Sequence, residues 1–240
     1  MNQKIAIMTD TNSGIMAEEA QKLGVFVVPM PFVVDGEEGF EGVSLDADRF
    51  YERQRAGANI VTSQPSIVDL GERWHELLGT YDDIIYIPMS SGLSGSCETA
   101  CTLSRHFEGR VHVVDNQRIS VMQRESAIDA LRWVEAGLSA QEVCDRLHAT
   151  KFDASIYIMV DTMAYLHKSG RITPAAAAIG SVLKIRAGPA DSGRKARRVF
   201  GGQVHEGGEA HHVETSLALR CGRTFRRCWQ RASLRSSYGS

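Results

Sequence analysis

Ile84-Ile85-Tyr86-Ile87-Pro88-Met89-Ser90-Ser91-Gly92-Leu93-Ser94-Gly95-Ser96 runs from an apolar strand through a hydroxyl-rich turn into the start of a helix. A second hydroxyl-rich turn, Thr62-Ser63-Gln64-Pro65-Ser66, precedes it and also sits at a helix start. Helix N-termini carry unsatisfied N–H groups and partial positive charge, so they receive anions. Two such ends can hold one carboxylate or phosphate between them. The plain alternative is that these hydroxyls only cap their helices.

Outward from this stretch, strands and helices alternate over the first 185 residues. Lys4 to Asp10 reads as a buried strand, and Ser13 as the cap of the helix carrying Ile15, Met16, Ala20 and Leu23. Val25 to Val34 reads as one strand interrupted by Pro29 and Pro31, which suits a sheet edge. Asp35-Gly36 marks a turn, and the segment to Val43 a hairpin or loop. Helices are predicted from Ser44 to about Arg55 and from Ser66, the latter with Ile67, Leu70, Trp74, Leu77 and Leu78 on its inner face. The strand at 84–89 is followed by a helix from Ser94 to about Phe107, a strand Val111 to Val114 closed by Asp115, and a helix Ile119 to Ala136. A helix Ala140 to His148 capped by Ser139, a strand Ser155 to Val160, a helix Thr162 to His167 and the turn Lys168-Ser169-Gly170-Arg171 follow. A further helix is predicted over 174–185. This alternation predicts an α/β fold with a largely parallel sheet, in which ligands bind beyond the carboxyl ends of the strands.

Composition excludes several classes. The chain has 240 residues, is 43% hydrophobic and nets −2, which gives it no general attraction to nucleic acid or anionic membrane. The opening residues Met1 to Lys4 lead directly into a strand without a signal-peptide pattern, and no apolar run is long enough to span a membrane. The five cysteines include no C-x-x-C pair, so neither a disulfide framework nor a zinc ribbon is expected. A cytoplasmic location follows. From Arg186 the character changes: ten Arg and one Lys face four acids in 186–240, a net +7. The remainder therefore nets −9, since −2 minus +7 is −9. The division expected is 1–150 as an N-terminal α/β domain, 151–185 as the start of a second, and 186–240 as an atypical basic segment.

The ordered set T-S-Q-P-S at 62–66, S-S-G-L-S-G-S at 90–96, V-V-D at 113–115 and Y-L-H-K-S-G-R-I-T at 165–173 resembles the DegV family of bacterial fatty-acid-binding proteins. Asp10-Thr11-Asn12-Ser13 is similar to that family's opening, and the resemblance covers about residues 3–185. It implies a two-domain α/β protein that encloses one long-chain fatty acid and presents the carboxyl group to a fatty acid kinase. The carrier itself supplies no phosphoryl-transfer machinery and no cofactor. By resemblance, Thr62 and Ser63 supply head-group donors from the first turn. Ser94, Ser91 and the backbone from Gly92 to Gly95 supply them from the second. Arg171 lies in a segment similar to the family's G-G-R-I-S turn, where it docks the kinase or frames the tunnel mouth, or simply caps a helix end. The partners implied are the fatty acid, the kinase and transient membrane contact, with no nucleic acid.

Hydroxyls and N–H groups suit this task, since they bind a carboxylate without burying a cation and leave one oxygen free to attack phosphate. The competing class is an acyl- or phosphoryl-transfer enzyme using Ser94 as nucleophile, although the G-x-S-x-G elbow is missing. Cys97 and Cys101 are expected to pack as small hydrophobes. His205, His211 and His212 with nearby Glu lack metal-site register, so no metal is expected. No P-loop is present, so ATP binding is not indicated.

The chain departs from the family in two places. Arg186-Ala187-Gly188-Pro189 stands where members continue with K-P-I-L and a further α/β stretch, the part that closes over the acyl chain and contributes a histidine near the carboxylate. A frame shift in the coding sequence near Ile185 is the expected cause of the break, and a K-P-I-L-like continuation in another reading frame is the expected finding. Met122-Gln123-Arg124-Glu125 replaces a stretch usually rich in Gly. An incomplete second domain leaves part of the acyl chain wet. Each exposed methylene forfeits about 0.8 kcal/mol, so four weaken binding by roughly 3 kcal/mol, about two orders of magnitude.

Overall fold

The computed structural model describes residues 3–44, 47–154, 157–158, 164–171 and 216–217. Those up to 154 belong to one unit and the remainder to a second.

The first unit is built on four parallel strands, in the order β2-β1-β6-β7: β1 (Ile5–Asp10), β2 (Phe26–Val28), β6 (Asp83–Ile87) and β7 (Val111–Val113). All of β1 and β6 is buried. Their side chains alternate between two cores, as the period of two requires. Ile5, Ile7, Ile85 and Ile87 face one side, packed with α1 (Ala17–Leu23), α5 (Val121–Glu135) and α6 (Ala140–Ala149). Ala6, Met8, Ile84 and Tyr86 face the other, against Leu70 and Trp74 of α3 (Ile67–Leu78) and Ala100 of α4 (Ser96–Ser104). This doubly covered parallel sheet is the predicted α/β arrangement.

A second sheet of the same unit is antiparallel, in the order β4-β3-β5: β3 (Pro31–Val34), β4 (Glu37–Phe40) and β5 (Ile60–Thr62). The β3–β4 turn holds Asp35 and Gly36 at φ 53° and 92°, the positive values of a tight hairpin. The helix α2 (Ala47–Arg55) packs beside it, with Phe50 edge-on to Phe32 at 5.3 Å between ring centroids.

Four sequence expectations are corrected here. The single strand predicted from Val25 to Val34 is two strands in two sheets, because Pro29 and the following residue break the run between them. The strand β5 went unpredicted, being three residues long and half exposed. Ser13 does not cap a helix: it closes a single 3-10 turn, Thr11–Ser13, donating to the Asp10 carbonyl at 2.7 Å, and α1 begins only at Ala17. The helix expected from Ser94 begins at Ser96, with Gly95 at its N-cap and no side-chain cap, whereas Ser66 and Ser139 cap as expected. The Ser66 hydroxyl accepts from the Asp69 N–H, and Ser139 with Glu142 forms a reciprocal capping box.

In the second unit, β8 (Tyr157–Ile158) pairs in parallel with β9 (Ser216–Leu217), and α7 (Ala164–Lys168) ends in a turn to Arg171. The helix expected over 174–185 and the histidines at 205, 211 and 212 lie outside the described residues. Among the described residues, no helix is long and apolar enough to cross a membrane.

Candidate functional site

The site grows from the way β6 ends. Its pairing with β1 stops at Thr9–Ile87 and with β7 at Tyr86–Val113, and Pro88 has no N–H to continue either ladder. The next three N–H groups turn outward to neighbouring chain segments. Met89 donates to Asp10 Oδ2 at 2.8 Å, Ser90 to the Arg118 carbonyl at 3.0 Å, and Ser91 to Asp115 Oδ1 at 3.2 Å. The turn then folds on itself. The Gly92 N–H meets Ser90 Oγ, the Leu93 and Ser94 N–H groups meet the Ser90 carbonyl, and the Ser96 N–H meets Ser94 Oγ. The Gly95 N–H has no acceptor among the described residues.

Asp10 lies beneath, fully buried. Its Oδ1 accepts from the Asn12 N–H, Asn12 Nδ2 and Gln123 Nε2, each at 3.0 Å. Gln123 also reaches Thr9 Oγ1 at 3.0 Å and the Ile87 carbonyl at 3.2 Å, so one amide joins α5 to the ends of β1 and β6. Burial raises the Asp10 pKa above its ordinary value, and the N–H donors oppose this only in part. Thr11 extends the frame by donating to Glu41 Oε2 at 2.6 Å and accepting from the Met30 N–H at 3.1 Å.

The first hydroxyl-rich turn arrives from the antiparallel sheet. Thr62, the last residue of β5, pairs with Phe32, and the Ser63 N–H donates to the Pro31 carbonyl at 3.3 Å. Gln64 links this first turn to α4: its Oε1 accepts from Thr99 Oγ1 at 3.1 Å. A Cβ placed on Gly95 would stand 3.8 Å from that same oxygen. Gln64, Ile67, Gly95, Glu98, Thr99 and His106 line an open groove of about 460 Å³. Ile67, expected on the inner face of α3, faces this groove and is 49% exposed.

The sequence-predicted residues thus separate by what their groups do. Thr62, Ser63 and Gly95 are exposed and Ser94 is half-buried. The Ser94 oxygen accepts from Ser96, which leaves its O–H to donate. The Ser91 O–H instead donates to Asp115 Oδ2 at 2.5 Å, and the Gly92 N–H is used within the turn. Arg171 belongs to the second unit, exposed, with Nη1 donating to the Ser169 carbonyl at 3.2 Å. Gln64, Asp10 and Gln123 were not named as site residues from sequence, although Asp10 stood in the quoted opening motif and Gln123 in the stretch that departs from the family. For Gln64 the only signal was its place inside T-S-Q-P-S.

No histidine or carboxylate among the described residues hydrogen bonds to the Ser94 hydroxyl. Burial, then the nearby Asp115 charge, pushes the Cys97 thiol up to about 12, leaving it protonated at neutral pH. Among the described residues no group of three or more His, Cys, Asp or Glu is placed to hold a metal ion.

A family model described as "Uncharacterised protein, DegV family" matches residues 4–187. This chain belongs to the DegV family. A DegV domain-containing protein of Deinococcus radiodurans is 32% identical over 215 residues, 89% of this chain and 74% of that protein. Among solved structures, this DegV chain is similar to a DegV family protein from Thermus thermophilus described by its fatty acid binding. That match has a TM-score of 0.67 and 29% identity, and covers 75% of this chain and 65% of the other. It is also similar to a stearic-acid-binding protein from Eubacterium ventriosum, with a TM-score of 0.62 and 25% identity over 73% of this chain and 64% of that one. The DegV chain therefore spans less than two thirds of the length of these two structures. The family match ends at residue 187, beside the change of composition at Arg186.

Proposed function

We propose that this DegV protein binds a long-chain fatty acid in the cytoplasm and presents its carboxylate to a fatty acid kinase, acting as a carrier without chemistry of its own. The observation that carries the reading is the approach of the first hydroxyl-rich turn to the start of α4: Gln64 accepts from Thr99 at 3.1 Å and lies beside Gly95. That approach supports Ser94 and Gly95 acting with Thr62 and Ser63 on one head group. Similar proteins described as binding fatty acid support the same ligand. Donors without a cation hold the head group while leaving it reactive toward phosphate. Arg171 serves on this reading at the tunnel mouth or the kinase-docking surface, and the second α/β domain begins near residue 151.

Ser94→Ala tests the reading. A hydrogen bond to a charged group contributes about 1.5–3 kcal/mol, so the variant should bind stearic acid about 10- to 100-fold less tightly. Titration with a fluorescent fatty acid and displacement by stearic acid measures this. Unchanged affinity in Ser94→Ala would remove the turn from the site. Loss of a catalytic turnover, with ligand retention intact, would favour an enzyme instead.

A further inference from the structure

We propose that Asp115 is a positioning residue for the head-group turn and that Ser91 serves it as the attachment point, not as a ligand donor; this rests on the fatty-acid reading above. Both carboxylate oxygens are engaged. Its Oδ1 accepts from the Ser91 N–H at 3.2 Å and the Gln117 N–H at 3.3 Å, and its Oδ2 accepts from the Ser91 O–H at 2.5 Å. Two contacts therefore converge on one residue of the turn from a different strand end.

Such a clamp is needed because β6 has no ladder left to impose on residues 89–91. Their N–H groups are satisfied only by Asp10, Arg118 and Asp115. Asp10 fixes the first from beneath, and Asp115 fixes the third at the surface, three residues before Ser94. The loop that carries Asp115 is itself held in a demanding conformation, with Gln117 and Ser120 at φ 54° and 58°. Non-glycine residues adopt such values only where surrounding contacts enforce them. Here the Ser90 N–H donates to the Arg118 carbonyl and the Ser120 N–H to the Asn12 carbonyl at 2.9 Å. The 115–120 loop and the 89–96 turn thus brace each other. The direction of the Gly95 N–H and Ser94 O–H is set partly by a residue that touches neither the ligand nor Gly95.

The test is a double-substitution cycle on the full chain. Asp115→Ala and Ser91→Ala should each weaken stearic acid binding about tenfold. The pair should be no worse than Asp115→Ala alone, because both remove the same contact. Asp115→Asn, which keeps one oxygen for the Ser91 N–H, should recover part of the affinity. In the ligand-free protein, Asp115→Ala should shift the Gly95 amide resonance in a 15N–1H spectrum, while amides of α6 stay in place. Additive losses, or an Asp115→Ala protein that binds as the parent does, would overturn the positioning role while leaving the fatty-acid reading intact. If the parent protein binds no stearic acid, the fatty-acid reading falls and takes this proposal with it.

Discussion

Trp74→Ala should cost the first unit about 3–5 kcal/mol, the range for removing a large buried aromatic whose cavity cannot fully collapse. Trp74 is fully buried and stands edge-on to Tyr86 at 5.9 Å and Phe107 at 5.2 Å between ring centroids. It therefore joins α3 to β6 and to the chain leading into β7. Its Nε1–H is buried with no acceptor among the described residues. Trp74→Phe should consequently cost clearly less than the alanine change, since it retains an apolar ring and removes an unmet donor. Denaturant unfolding followed by far-UV circular dichroism measures both, and equal losses would contradict this packing.

Asp10→Ala is expected to cost about 3 kcal/mol, because the N–H groups of Met89 and Asn12 and the Gln123 amide lose a buried acceptor. The pH dependence has a defined sign. Burial raises the native pKa above the ordinary 3.8, so the folded chain holds this proton more tightly than the unfolded chain. The associated stability is complete below the unfolded value and is lost as pH rises through the native one. Asp10→Asn has no proton to release and should flatten that part of the stability–pH profile. A profile identical to that of the parent protein would contradict the burial of this carboxyl.

Much of this architecture was legible in the chain. The apolar runs at 5–9 and 84–87 read as strands, and Ser66 and Ser139 marked two helix starts because a short hydroxyl there satisfies an otherwise orphaned N–H. The strand β5 was hidden by its length, since Ile60 to Thr62 offers too few residues for any period to declare itself. Val25 to Val34 read as one strand because composition carries no record of which sheet each half joins. The two hydroxyl-rich turns were visible as turns. What holds each of them in place was not: Gln64 meets Thr99 across 35 positions and Ser91 meets Asp115 across 24. Contacts of that separation depend on how the sheet orders β1, β6 and β7, which local pattern does not specify. The same holds for Gln123, whose helix position gave no hint that its amide reaches Thr9, Asp10 and Ile87 together.

The two turns are useful only if an acid headgroup sits on them. Native mass spectrometry of the purified chain, incubated with excess stearic acid and compared with Ser94→Ala, measures this most directly. The expected spectrum shows one acid per chain, largely absent from the variant. A parent protein that carries no acid, or a variant that carries as much as the parent, would contradict the account.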